Sequence, residues 1–156
     1  FTFTVTNKVG LTSVYRGYIP VDILVIRDGD KLKIAVPSII FRGNAADFKG
    51  LDQAIVDKNN NILKRIAVIL NKFPEYQVQV EGHANTTTGT EKEETTALLP
   101  LSKQRAEAVR QFLIKEGVRS TRLSSVGMGS SKPVASIKDK DNWWKNRRVE
   151  FILIKQ

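Results

Sequence analysis

Residues 78–83 read Val-Gln-Val-Glu-Gly-His and residues 101–106 read Leu-Ser-Lys-Gln-Arg-Ala, and these two short stretches decide the fold. In the first, Val78 and Val80 alternate with Gln79 and Glu81, the period-two pattern of a strand with one buried face. In the second, Ala106 opens an apolar stripe continued by Val109, Phe112 and Leu113, which is helical spacing. Ser102 stands where it could cap that helix, and Gly117 supplies a C-terminal stop. A strand followed by an amphipathic helix is a building unit of α/β folds.

Reading outward extends the pattern. Upstream, Ile55, Ile62, Ile66, Ile69, Leu70 and Phe73 recur at helical spacing, with Leu63 and Ala67 on an adjoining face and Pro74 as the end. Asn59-Asn60-Asn61 are poor helix formers in its first half, so a break or fresh start is expected there. Ile23 to Ile26 and Leu32 to Val36 flank Asp28-Gly29-Asp30, a hairpin signal. Phe1, Phe3 and Val5 alternate with threonines as in a strand. Downstream, Leu123 to Val126 reads as a short strand, and Val149, Phe151 and Leu153 place a last one. Residues 84–100, rich in Thr and Glu, are expected to be a long loop, functional or mobile. The fold class is therefore α/β, an α+β sandwich whose β-α-β-α-β core sets two main helices on one mixed sheet, with additional N-terminal strands.

Composition narrows the function. The chain has 156 residues, the size of one ordinary domain, and no cysteine. Disulfides, zinc-thiolate sites and cysteine nucleophiles are excluded. The longest uninterrupted apolar run, Ile66 to Leu70, is far short of the roughly 20 residues that cross a bilayer. Twenty-five Lys and Arg against 16 Asp and Glu give a net charge of +9, but the excess is spread along the chain and interrupted by the acidic stretch 81–100. Nucleic-acid binding would rest on that charge alone, with no recognition helix or aromatic-basic strand behind it. The opening Phe1-Thr2-Phe3, without an initiator methionine, suggests a piece of a longer protein.

Set in order, the blocks are Phe41 with Asn44-Ala45, Ile66-Ala67, Val78 to His83, Leu101-Ser102 with Arg105-Ala106, Gly127-Met128-Gly129 with Pro133, and Asn146-Arg147-Arg148-Val149-Glu150. In this order the chain resembles the OmpA-like domain, the peptidoglycan-binding module of many outer-membrane proteins and lipoproteins, from about Ile34 to Ile154. The resemblance implies an OmpA-like domain over residues 31–156, preceded by a β-rich segment over 1–30 that is a linker or the end of an upstream domain. It implies a periplasmic location, tethered to the outer membrane through sequence not present here, and a non-catalytic grip on peptidoglycan. In that family an aspartate in Gly-His-Thr-Asp takes the ammonium of the stem-peptide diamino acid, and the arginine of Leu-Ser-x-x-Arg-Ala takes its carboxylate. By that resemblance Arg105 is the carboxylate clamp, and His83, Thr86 and one of Arg147 and Arg148 surround the ligand. Other envelope proteins are further candidate partners; no cofactor is implied.

The chain departs from the family pattern at the site itself. Asn85 stands at the aspartate position, Arg42 where an acidic residue is common, and Leu98 where an asparagine usually precedes Leu-Ser. The interval from Asn85 to Arg105 is longer than usual and inserts Glu91, Glu93 and Glu94. Asn85 becomes a weakened amine contact, since a neutral acceptor forgoes the charge-assisted part of the bond. Two readings follow. Either the pocket is re-made, with an inserted glutamate or Glu81 as its anion, or it has lost the ligand and the fold serves as a scaffold or protein-interaction module. An arginine at a helix start opposes the macrodipole, so Arg105 is expected to meet an anion, whether ligand or glutamate.

The remaining motifs have plainer explanations. His83, the only histidine, cannot by itself hold a metal and reads as a structural residue fixing the loop through hydrogen bonds. No Ser-His-Asp context or shifted acid pair suggests an enzyme. Gly127 to Lys132 lacks the Gly-Lys-Ser/Thr ending of a phosphate loop, and Asn85-Thr86-Thr87 is a weak glycosylation pattern. Trp143-Trp144 could stack on a sugar or a base, with at least one expected to plug the core. Arg147 and Arg148 enter a strand and should point to opposite faces.

Overall fold

The computed structural model describes residues 2–16, 24–29 and 31–155; Phe1, Ile23 and Asp30, invoked above for strands and a turn, lie outside them. Strands β1 (Thr2–Thr6) and β2 (Thr12–Arg16) form a separate antiparallel hairpin. The main sheet has five strands in the order β3-β4-β7-β5-β6, namely β3 (Leu24–Asp28), β4 (Lys31–Ala35), β7 (Val149–Lys155), β5 (Tyr76–Gly82) and β6 (Leu123–Gly127). Only β5 and β6 run parallel, so the sheet is mixed. The division at residues 30 and 31 passes through the hairpin, with β3 before it and β4 after it in one ladder.

Helix α1 (Gln53–Lys72) and, after the short turn α2 (Glu91–Glu93) and a π-helical segment (Glu94–Leu98), helix α3 (Leu99–Lys115) supply the second layer. Their stripes meet one sheet face: Leu63, Ile66 and Leu70 of α1 and Val109 and Leu113 of α3 share a buried cluster with Val78, Val80 and Phe151. The predicted periodicities place most of the core, except that Phe73, expected on the apolar stripe, follows the end of α1 and is 51% exposed, while Leu63 and Ala67 of the adjoining face are buried.

Three local expectations are corrected. The helix does not break at Asn59-Asn60-Asn61, because Asn59 is wholly buried and its amide substitutes for a strand partner. The Ile40 N–H donates to its Oδ1 at 3.1 Å, and its Nδ2 donates to the Ile40 carbonyl at 2.8 Å. Those two bonds offset a poor helix propensity worth only a few tenths of a kcal/mol, about 0.5. Nor is 84–100 a loop throughout: helical structure starts at Glu91, capped by the Thr90 hydroxyl, which accepts from the Glu93 N–H.

Ser102 accordingly caps nothing. It lies inside α3, fully buried, donating to the Leu99 carbonyl and accepting from the Gly129 N–H, both at 2.9 Å.

Gly82 and Gly127, paired in register across β5 and β6, explain that position. A Cβ on Gly82 would overlap the Ser102 carbonyl oxygen, and one on Gly127 would stand 2.6 Å from the Lys103 nitrogen. The backbone of α3 rests directly on the sheet there, which only glycine permits. At the other end, Arg122 donates to the Leu70, Phe73 and Tyr76 carbonyls and so closes α1 onto the start of β5. We expect Gly82→Ala to cost about 3 kcal/mol or more, since the clash is with backbone. Gly43→Ala, whose Cβ meets nothing within 4 Å, should stay within about 0.5 kcal/mol; urea denaturation midpoints compare the two.

Candidate functional site

The parallel pair β5-β6 ends under the first turns of α3, and ligands of α/β sheets gather at such carboxyl ends. The chain leaves β5 through His83, Ala84 and Asn85 and leaves β6 through Met128 and Gly129. Cross-links hold these exits together: Met128 N–H to the Gly82 carbonyl, Ala84 N–H to that of Gly129, and His83 N–H to that of Arg148.

Arg105 projects from α3 into this end and is 1% exposed. Its Nε donates to the Ala45 carbonyl at 3.0 Å, and its Nη2 to those of Arg42 and Gly43 at 2.8 and 2.6 Å. The guanidinium also lies 5.3 Å from the centre of the Phe41 ring. Among the described residues no carboxylate meets it, and Nη1 is buried without a partner. Burial, then the charge of Arg147, lowers its pKa to about 10, which leaves it protonated at neutral pH. Because helical structure begins at Glu91, Arg105 is not a helix-start residue, and the macrodipole argument for its partner lapses.

Asn85 is engaged at both ends. Its Nδ2 donates to the Thr86 carbonyl at 2.7 Å, and its Oδ1 accepts from Asn146 Nδ2 at 2.8 Å. Asn146, 3% exposed, accepts on Oδ1 from the Val134 and Ala135 N–H groups and donates also to the Ala135 carbonyl.

Two of the three inserted glutamates, Glu93 and Glu94, bind the protein itself, and the third, Glu91, is exposed. Glu93 accepts from the hydroxyls of Thr86, Thr87 and Thr88 at 2.6–2.7 Å and from the N–H groups of Thr87 and Thr88. Those bonds, led by the Thr86 hydroxyl, hold its carboxyl far below the usual carboxylate range. Glu94 accepts from the Ser130 hydroxyl and N–H. Thr86 therefore reaches Glu93, and its hydroxyl also accepts from the Gly89 N–H.

His83 corrects two expectations. Its ring is 1% exposed and neither nitrogen hydrogen-bonds, so it does not fix the loop through the imidazole; its backbone N–H does so instead. Nor does it stand alone: Nε2 lies 3.8 Å from Glu81 Oε2 and 4.0 Å from Glu150 Oε2, three ligand-type atoms within 4.8 Å of one another. The donor set fits a metal poorly, because both carboxylates already have cations. Lys132 is 3.2 Å from Glu81, and Lys33 and Arg148 are 2.9 and 2.6 Å from Glu150. Burial pushes the Glu150 carboxyl up, but its bonds to Lys33 and Arg148 prevail and bring it to about 2. His83 is lowered to about 4, by burial first and then Arg148.

Arg147 and Arg148 separate. Arg148 joins the Glu150 cluster, while the Arg147 guanidinium acts on Arg105 through its charge and has no hydrogen-bond or ion-pair partner among the described residues. Neither tryptophan plugs the core. Trp143 donates from its indole to the Ile137 carbonyl, and Trp144 is 50% exposed with Lys145 over its ring. Sequence reasoning missed the roles of Asn146, Glu93 and the Arg42 to Ala45 carbonyls; the position of Asn146 at the head of the last motif block was the available signal for the first.

The model of the OmpA family matches residues 48–147. A probable lipoprotein of Escherichia coli, YiaD, is 30% identical over 129 residues, covering 83% of this chain and 54% of that protein. A peptidoglycan-associated lipoprotein of Agrobacterium fabrum is 38% identical over 91 residues, 58% of this chain and 49% of that protein. The chain thus spans about half the length of these curated relatives. The periplasmic domain of Helicobacter pylori MotB shares the fold, with a TM-score of 0.67 at 24% identity, covering 86% of this chain and 80% of that one.

The neutral burial of His83 has a pH consequence. Its folded pKa lies below the unfolded value of 6.5, so the unfolded state binds the extra proton and stability falls as pH drops from 6.5 toward 4. Between pH 7 and pH 5 the loss should be about 2 kcal/mol. His83→Gln should flatten that segment in urea titrations, since no other histidine is present.

Proposed function

Because the chain belongs to the OmpA family, we propose that it is a non-catalytic module that binds cell-wall peptidoglycan through the stem peptide and anchors an envelope assembly on the periplasmic side. Relatives named as peptidoglycan-associated lipoproteins and peptidoglycan-binding proteins support this class of ligand. No helix among the described residues is long and apolar enough to cross a membrane.

The observation that carries the reading is a contrast between two buried arginines. Arg122 spends Nε, Nη1 and Nη2 on backbone carbonyls. Arg105 spends Nε and Nη2 in the same manner and keeps Nη1 unpartnered. A purely structural guanidinium has no reason to leave buried donors orphaned, since an unmet donor costs about 1–3 kcal/mol. A carboxylate at Nη1 supplies both the missing acceptor and the missing negative charge. Ala45, Gly43 and Arg42 fix the plane of the fork in advance, so little rotamer entropy remains to be lost on binding.

Co-sedimentation with intact peptidoglycan sacculi tests the proposal. The wild-type chain should pellet with the wall. Arg147→Gln, which removes a charge but no hydrogen bond, should weaken binding several-fold, on the order of 1 kcal/mol, at an unchanged melting midpoint. Arg105→Ala should abolish binding and also lower stability by about 2 kcal/mol through the freed carbonyls. A wild-type chain left in the supernatant would favour the scaffold reading.

A further inference from the structure

We propose that this site takes a carboxylate without requiring the neighbouring ammonium, so that it accepts stem peptides whose side-chain amine is acylated as readily as those in which it is free. The inference rests on the peptidoglycan reading above and concerns the chemical class of the ligand.

The ammonium half of the site is committed to the fold. Two main-chain N–H groups, of Val134 and Ala135, point at Asn146 Oδ1. They fix the orientation of that amide, so its Nδ2 must face Asn85. Asn85 is oriented in turn: Oδ1 toward Asn146, Nδ2 toward the Thr86 carbonyl. Residue 85 thus works as a donor as well as an acceptor. An aspartate there would set a carboxylate against the Thr86 oxygen, so the amide is the residue this loop needs.

Nor do Glu81, Glu93 or Glu94 replace it. The Glu93 carboxylate is taken up by the hydroxyls of three threonines, that of Glu94 by Ser130, and Glu81 is paired with Lys132, which leaves, of the inserted glutamates, only the exposed Glu91 without a side-chain bond among the described residues. The buried charge left uncompensated is positive: Arg105 has an unpartnered Nη1, and the charge of Arg147 acts on it. An incoming ammonium would meet one neutral lone pair and two guanidinium charges, whereas a carboxylate would meet the charges alone. A free carboxylate beside an acylated amine is what a peptide cross-link through that amine leaves behind, so cross-linked wall remains a ligand.

Isothermal titration of the whole chain with two synthetic stem-peptide fragments decides this. Both end in a diamino acid with a free carboxylate; in one the side-chain amine is free, in the other it is N-acetylated. Wild type should bind the two within about threefold, and amidation of the carboxylate should weaken either by at least about tenfold. Asn85→Asp should favour the free amine by about tenfold, the gain from a charged over a neutral acceptor. Should that variant fail to fold, the two fragments with wild type suffice. A tenfold wild-type preference for the free amine, or indifference to amidation, overturns the proposal. Sacculi that sediment with the protein while neither fragment binds overturn it too, leaving peptidoglycan binding intact; if sacculi also fail, the broader reading falls with it.

Discussion

The site exists because a helix backbone lies against a sheet with nothing between them. Gly82 and Gly127, side by side in the parallel pair, let Ser102 and Lys103 approach to main-chain contact. From that seat Ser102 reaches Gly129, and Arg105, one turn further along, reaches the carbonyls of Arg42, Gly43 and Ala45. The strand exits, the incoming loop and the guanidinium are therefore positioned by one packing distance. Side chains at the two glycines would lift the helix and loosen all of them together.

Positive charge is managed differently at the two ends of the molecule. Arg122 closes α1 with every donor nitrogen in use. Arg105 is more deeply enclosed, has no ion-pair partner among the described residues, and is held by carbonyl dipoles that compensate the charge only in part. The opposite sheet face shows the alternative solution, in which Glu81 and Glu150 are matched with Lys132, Lys33 and Arg148. Both buried arginines are held by carbonyls without an ion pair among the described residues, and they differ in that Arg122 uses every donor nitrogen whereas Arg105 leaves Nη1 unpartnered.

What the sequence disclosed was whatever repeats at short range. The alternation of Val78 and Val80 and the stripes through Ile66 and Val109 gave the elements and the core, and the ordered blocks gave the family. What it concealed was made by side chains bonding across long separations. Asn59 stays helical because of Ile40, nineteen positions away, and Asn85 is oriented by Asn146, sixty-one away; no local propensity registers either. The same cause misplaced the start of the second helical run. Thr and Glu between 86 and 94 read as solvated loop because their mutual bonds, Glu93 to three threonines, are tertiary facts. Arg105 was found as a position, but its carbonyl partners lie some sixty residues upstream.

The π-helical segment Glu94–Leu98 decouples the two halves of this region. A π turn takes up an additional residue without ending the helix, so it shifts the angular phase of everything before it while leaving everything after it in place. Loop length ahead of Glu94 can therefore vary without rotating Arg105 away from the strand ends. The turn works as a differential between a segment free to drift in length and a helix whose azimuth is pinned by two glycines, which is how a longer binding loop can be carried on an undisturbed frame.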